Sequence, residues 1–113
     1  MVYCKAMKRV TITDPGCVAA SVAILGDKWT PMLIRALAPG ALRFGQLQDE
    51  AGGVNPRTLS ARLVRLEQCG IITKSIHSKM PPHTEYSLTA KGRDLLPILQ
   101  SMADWGAKHP PIS

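Results

Sequence analysis

Hydrophobic residues recur at helical spacing in five stretches of the chain, and glycine or proline separates most of them. Thr30–Pro31 and Asn55–Pro56 each place a capping side chain directly before a proline, an order that begins a helix. Thr89 is expected to cap the last helix, and Pro97 inside that helix should bend it. The five predicted helices begin near residues 17, 31, 44, 56 and 90.

The fourth of these helices has one apolar face and one basic face. Three leucines at positions i, i+4 and i+7, starting at Leu59, are expected to pack inward. Before the helix, Gly52–Gly53 must turn the chain sharply, because glycine tolerates a positive φ. The exposed face carries two arginines beside a small residue, with a threonine and a valine at its margins: Arg57, Ala61, Arg65, Thr58 and Val64.

Two short segments with strand character follow this helix. Ile71 to Ile76 is rich in β-branched residues, and Thr84 to Leu88 alternates between apolar and polar residues. Ser78 to His83 contains two prolines and is expected to form an irregular loop with a basic tip. Helix, turn, basic helix, strand, loop and strand, in this order, is the plan of a winged helix-turn-helix. The sequence therefore predicts a mainly α fold with a small two-stranded β wing, in one domain over residues 17–106 between an arm (1–16) and a tail (107–113).

Composition and charge favour nucleic acid as the partner. With 113 residues, of which 45% are apolar, the chain can build one core. Its net charge of +6 is concentrated between residues 54 and 83, where there are five basic residues and one acidic residue. A membrane surface is the competing partner for such a basic segment. The apolar run from Cys17 to Leu25 is too short to span a bilayer and no cleavage site follows it, so we expect a core helix of a cytoplasmic protein.

The basic helix is suited to the major groove of duplex DNA. An arginine on the leading turn of such a helix can bond both acceptors of a guanine, so base contacts are expected from Arg57, Thr58 and Ala61. Arg62 and Arg65 lie further along the helix and are expected to contact phosphates. The alternative is that these charges form only a solvated face. The other predicted DNA contacts are Arg43, Asn55, Lys74, Lys79 and His83.

Residue spacing argues against catalysis and against a metal site. The histidines His77, His83 and His109 have no ligand spacing with any cysteine. Ser60 and Ser87 have no histidine and aspartate at usable positions, and no glycine-rich phosphate loop follows a strand. We therefore expect neither an enzyme nor a bound cofactor.

The last predicted helix has more apolar surface than a small domain needs to cover one face. This surplus predicts a partner chain, and we expect a dimer. Trp29 and Trp105 are expected in the core and at this interface, and two indoles in an aliphatic interface could also accept a flat apolar ligand. The predicted interface residues are Leu95, Ile98, Leu99, Met102 and Trp105.

Several motifs together resemble the HxlR-type winged-helix transcriptional regulators. The most specific are Gly-Asp-Lys-Trp at residues 26–29 and Glu-Tyr-Ser-Leu-Thr-Ala-Lys-Gly at residues 85–92. They are accompanied by Leu-Arg-Phe-Gly-Gln-Leu at residues 42–47, Leu-Ser-Ala-Arg-Leu-Val-Arg-Leu-Glu at residues 59–67 and Gly-Ile at residues 70–71. The resemblance runs from about Cys17 to Trp105. It implies a homodimer with the first and last helices at the interface, bound to a palindromic operator. It also implies a mode of regulation similar to that of MarR-type repressors.

The three cysteines include no Cys-x-x-Cys pair, so neither a disulfide scaffold nor a zinc finger is expected and reduced thiols are the default. The resemblance implies a sensor of electrophiles or oxidants at Cys17, near the start of the first helix, where the helix dipole favours the reactive thiolate. The alternative for Cys17 is a small buried hydrophobic residue. Cys4 is either an incidental exposed thiol or a resolving partner, and Cys69 is expected in the core.

Three rival functions stay open at this point. A winged helix can use the same face to bind another protein. The basic surface could instead serve RNA or a membrane. A regulator of the same fold could respond to a small molecule in a pocket at the dimer interface and have no redox role.

Overall fold

The computed structural model describes residues 15–111, so the predicted arm, including Cys4, lies almost entirely outside the described residues. The chain is mainly helical with a small antiparallel sheet, which confirms the predicted fold class. In chain order the elements are α1 (Pro15–Leu25), α2 (Trp29–Leu37), β1 (Leu42–Arg43), α3 (Phe44–Glu50), α4 (Pro56–Gln68), β2 (Ile72–Lys79), β3 (Pro82–Leu88), α5 (Ala90–Arg93) and α6 (Leu96–Lys108).

The helix-turn-helix unit consists of α3, a glycine turn and α4. Gly52 and Gly53 have φ values of +95° and +78°, the conformation for which glycine is needed. Asn55 caps α4 as predicted, since its side-chain Oδ1 accepts from the backbone N–H of Arg57 at 2.8 Å. The predicted leucine stripe is buried, and with it the core is formed by apolar residues from α2, α3, α4 and the sheet: Leu33, Ile34, Leu37, Leu47, Val54, Leu59, Leu63, Leu66, Ile71, Ile72 and Leu88.

The wing differs from the predicted two-stranded ribbon in two ways. A third strand, β1, pairs with β3, so the sheet order is β1-β3-β2. The two residues of β1 are too few to show an alternating pattern in the sequence. The prediction of an irregular loop over residues 78–83 is also wrong, because Ser78 pairs with His83 and Lys79 with Pro82. A proline is tolerated there because it is the first residue of its strand.

The last predicted helix is in fact two helices. Pro97 lies in the first turn of α6, where its missing N–H needs no partner, so it does not bend a longer helix. Thr89 caps the short α5 as predicted, since its Oγ1 accepts from the backbone N–H of Gly92 at 3.0 Å. A Cβ on Gly92 would lie 2.2 Å from the carbonyl oxygen of Ile71, so only glycine lets α5 pack this closely against the start of β2.

The start of α2 also departs from the prediction that Thr30 caps it. The cap is supplied by Asp27, whose Oδ1 accepts from the backbone N–H groups of Trp29 and Thr30, both at 2.9 Å. Thr30 lies inside the helix and is buried, and its hydroxyl donates to Asp27 Oδ2 at 2.6 Å. Asp27 therefore holds the turn between α1 and α2.

Two helices expose apolar side chains. In α1, Val18 and Val22 are 45% and 58% exposed, so the prediction of a core helix is wrong for this side of α1 in the single chain. Ile24 and Leu25, at the end of α1, do pack partly buried against the core. In α6, Ile98, Met102 and Trp105 are exposed. Leu95, directly before α6, and Leu96 and Leu99 of α6 instead pack partly buried against the chain's own core.

No single helix within residues 15–111 is long and apolar enough to cross a membrane. The first two helices reach that length only as a pair, and they are bent by 78° at the break between them.

Candidate nucleic-acid interface

The outer face of α4 projects away from the core because the leucine stripe faces inward. Arg57, Ala61 and Val64 are exposed along this face, with Val64 53% exposed. They lie at positions i, i+4 and i+7 and form one ridge. Thr58 is partly buried. We call Arg57, Ala61 and Val64 the outer ridge of α4.

Arg62 and Arg65, at the side of this ridge, bond to α1 and to the turn before α2. Arg62 Nε lies 3.3 Å from Asp27 Oδ1, an ion pair between α4 and the turn before α2. Arg65 Nη2 donates to the backbone carbonyl of Ala23 in α1. Both arginines thus have protein partners on one side of α4, so their predicted phosphate contacts would compete with these bonds.

The acid in this network is held ionised. Burial raises the pKa of Asp27, but the hydrogen bond from the Thr30 hydroxyl, the backbone N–H groups of Thr30 and Trp29 and the Arg62 guanidinium lower it, and the net pKa lies below the ordinary value of 3.8. An ionised Asp27 neutralises Arg62, so this arginine contributes less to the positive surface than its formal charge suggests.

The wing lies beside α4 and adds two exposed lysines. A groove between α4 and the sheet is lined by Ser60, Leu63, Val64 and Glu67 from α4 and by Lys74 and Tyr86 from the sheet. Lys74 and Lys79 are exposed on β2. Lys74 therefore lies beside Val64 of the outer ridge, and Lys79 lies at the end of β2 near the tip of the wing.

A cluster of two histidines and one acid forms on the wing, and sequence spacing did not indicate it. His77 Nε2 lies 2.9 Å from Glu85 Oε1, and His83 Nε2 lies 3.4 Å from Glu85 Oε2. The strand register brings these residues together from both strands. His83 thus has a carboxylate partner on the wing. Within residues 15–111, no group of three or more His, Cys, Asp or Glu side chains is arranged to hold a metal ion.

The other two predicted contacts lie directly before the two helices of the helix-turn-helix unit. Arg43 is exposed at the end of β1, opposite Glu85 in the sheet, and its backbone N–H donates to Gln46 Oε1 at 2.9 Å. Asn55 uses its side chain as the cap of α4, directly before the start of the outer ridge.

The cysteines fall into two environments. Cys17 lies in the first turn of α1, is partly buried and is disulfide-bonded. Cys69, at the end of α4, has a free thiol and packs partly buried against the core. Cys4, the predicted resolving partner, lies outside the described residues.

Comparisons with known proteins agree with this geometry. Residues 24–112 match the family model described as HxlR-like helix-turn-helix. A helix-turn-helix transcriptional regulator of Synechocystis sp., itself uncharacterised, is 42% identical over 88 residues, which cover 74% of this chain and 65% of that protein. The oxidized form of the redox regulator HypR has a TM-score of 0.77 at 32% identity, over 84% of this chain and 98% of that one. The reduced form of the transcriptional regulator YodB from B. subtilis has a TM-score of 0.72 at 27% identity, over 81% of this chain and 90% of that one.

Proposed function

The chain belongs to the HxlR-like helix-turn-helix family of transcriptional regulators and is not an enzyme, and from that premise we propose that it binds a palindromic operator in duplex DNA as a dimer and represses transcription. A regulator acts where the chromosome lies, so the proposed location is the cytoplasm. The observation that carries the proposal is the outer ridge of α4, which is exposed along its length beside a basic wing.

The outer ridge supports base reading at the start of α4. Arg57 is exposed in the first turn, and the structure gives its guanidinium no role in the core. An arginine in this position can bond both acceptors of a guanine in the major groove. We propose that Lys79, near the tip of the wing, contacts a phosphate of the same duplex. Arg57 therefore supplies specificity in this proposal, and Lys79 supplies affinity.

Arg57→Ala is expected to lower affinity for the preferred operator by a factor of about 5 to 150 and to relax the preference for that operator over random duplex. The loss follows from the missing base contact. Lys79→Ala is the matched control. It should weaken binding to all sequences alike and reduce the slope of log affinity against log salt concentration by about one. Fluorescence anisotropy with selected and random duplexes measures both. An unchanged specificity ratio in Arg57→Ala would move base reading to another residue.

The same measurement separates the rival functions. Salt-dependent binding to duplex DNA that exceeds binding to RNA and to anionic vesicles at equal ionic strength supports the DNA regulator. Absence of duplex binding would favour a protein-interaction module instead.

The proposed dimer rests on the exposed apolar stripes of α1 and α6. Val18 and Val22 lie at i and i+4 on α1, and Ile98, Met102 and Trp105 lie at i, i+4 and i+7 on α6. Stripes of this kind on a small domain are covered by a partner, and a second copy covers both at once. The other two predicted interface residues, Leu95 and Leu99, pack against the chain's own core. The outward part of the predicted interface is therefore formed by Ile98, Met102 and Trp105.

A redox response is proposed at Cys17. Two of the structural neighbours are HypR, named a redox regulator, and YodB, named a transcriptional regulator in a reduced form. Cys17 lies at the start of α1 and is disulfide-bonded. We propose Cys4 as the second thiol. Oxidation of the two thiols by a peroxide transfers two electrons and two protons to the peroxide and leaves one S–S bond.

The link from Cys17 to the DNA-binding helix is short. Ala23 follows Cys17 on α1 by six residues, about 9 Å along the helix axis, and its carbonyl accepts the bond from Arg65 of α4. A shift of α1 on oxidation would therefore act directly on α4 and on the proposed dimer interface.

Oxidation of the previously reduced wild-type protein with peroxide is expected to change its operator affinity by at least about fivefold, as for a typical coupling between two sites. Cys17→Ser should not respond, because it cannot form the disulfide. Cys69→Ser is the matched control and should respond like the wild type. Mass-spectrometric mapping of the disulfide, together with operator binding, measures the effect. An equal change in Cys17→Ser and wild type would return Cys17 to a packing role.

A further inference from the structure

Val64 is an exposed aliphatic residue in the middle of the proposed DNA-reading face. Its side chain is 53% exposed, whereas the leucines that α4 contributes to the core are at most 3% exposed. It stands on the outer ridge between Ala61 and the end of the helix. The sequence pattern placed it only at the margin of this face.

The packing of the single chain does not account for a valine here. Valine forms helices less readily than alanine because its β-branched side chain loses rotamer freedom. The other residues that line the groove beside the wing are Ser60, Leu63, Glu67, Lys74 and Tyr86. They leave about half of Val64 exposed to solvent. A residue that weakens its helix and buries little of its surface is suited to contact a partner.

The chemistry of the major groove supplies an apolar partner for such a side chain. Thymine is the base that presents a methyl group there, and apolar side chains contact it. We propose that Val64 reads the C5 methyl group of a thymine in the operator half-site. This inference rests on the proposed function, in which α4 enters the major groove.

The spacing along the outer ridge locates this thymine. Arg57 and Val64 are separated by seven residues, about 10.5 Å along the helix axis. Base pairs of B-DNA are stacked about 3.4 Å apart. A helix in the major groove is inclined to the DNA axis, so less than its full length projects onto that axis, and the thymine lies within about three base pairs of the guanine read by Arg57.

Replacement of single thymines by deoxyuridine tests the proposal, because it removes only the methyl group. In an operator selected from random duplexes, each thymine of one half-site and its symmetric mate is replaced in turn, and affinity is measured for wild type, Val64→Ala and Ile76→Ala. Ile76 is the matched control, an aliphatic residue of β2 that is 59% exposed. Loss of one buried methyl contact corresponds to about fourfold in affinity per half-site.

The expected result is a position within about three base pairs of the guanine where deoxyuridine lowers the affinity of wild type and Ile76→Ala by about fourfold per half-site, while Val64→Ala binds both duplexes equally. Equal sensitivity of Val64→Ala and wild type, or no sensitive thymine, overturns the inference and leaves the DNA-binding function intact. Absence of salt-dependent duplex binding by the wild type overturns the proposed function itself. The two failures are therefore distinguishable.

Discussion

Met102→Glu is expected to convert the proposed dimer into a monomer at micromolar concentration. Met102 is 49% exposed and lies at the centre of the apolar stripe of α6, between Ile98 and Trp105. In a symmetric dimer the substitution buries two carboxylates among aliphatic and aromatic side chains. We expect the dissociation constant of the dimer to rise by a factor on the order of 100 or more. Because a monomer engages one half-site at a time, operator affinity should fall with it.

Sedimentation velocity of wild type and variant measures the assembly directly. Ala107→Glu is the matched control, since it adds the same charge at an exposed position on the opposite side of the same helix and should leave the dimer intact. Met102 is preferable to Leu99 for this test, because Leu99 packs partly buried against the chain's own core and its replacement would also destabilise the fold. A wild-type protein that sediments as a monomer at micromolar concentration would contradict the dimer proposal.

Local sequence signals were sufficient where the determinants lie within one helix or turn. The cap at Asn55, the glycine turn at Gly52–Gly53 and the inward leucine stripe of α4 are all set by residues within about four positions of one another. These features define the helix-turn-helix, and they were predicted from the sequence.

Long-range partners were not readable from the same patterns. Arg62 contacts Asp27, 35 residues earlier, and Arg65 contacts Ala23, 42 residues earlier. Both arginines look like a DNA-facing charge when only the helix period is considered. The cluster of His77, His83 and Glu85 could not be predicted for the same reason. It depends on the pairing of two strands across a hairpin turn, where the prolines argued against regular structure.

The motifs that carried the family resemblance have identifiable structural roles. Gly92 permits the close approach of α5 to the carbonyl of Ile71, and Thr89 caps that helix. Asp27 caps α2 and pairs with Arg62 of α4. These residues hold the ends of helices together and do not lie on the outer ridge. Ala61 and Val64 of the ridge lie in another of these motifs, residues 59–67, whose leucines pack into the core.

Asp27→Ala is expected to destabilise the folded protein by about 3 kcal/mol at pH 7. The change removes the acceptor of two backbone N–H groups at the start of α2, and it leaves the buried Thr30 hydroxyl and the Arg62 guanidinium without this partner. Asp27→Asn keeps an acceptor for the cap but loses the charge, so its loss should be smaller, about 1 kcal/mol. Urea denaturation measures both. Asp49→Asn, an exposed acid of α3, is the control and should change little.

The charge of Asp27 also sets a pH dependence for this loss. Its pKa is lowered in the folded protein, so the stability it contributes is fully present above the ordinary pKa of 3.8 and is lost as pH falls through the lower folded value. The difference in unfolding free energy between wild type and Asp27→Asn should therefore be constant near neutral pH and shrink below pH 3.8. Arg62→Ala should remove part of the same stability, and the double variant should lose less than both single variants combined. A difference that persists unchanged at low pH, with additive losses in the double variant, would show that Asp27 and Arg62 do not act as a pair. Arg62 would then be available for the phosphate contact that its position in the sequence first predicted.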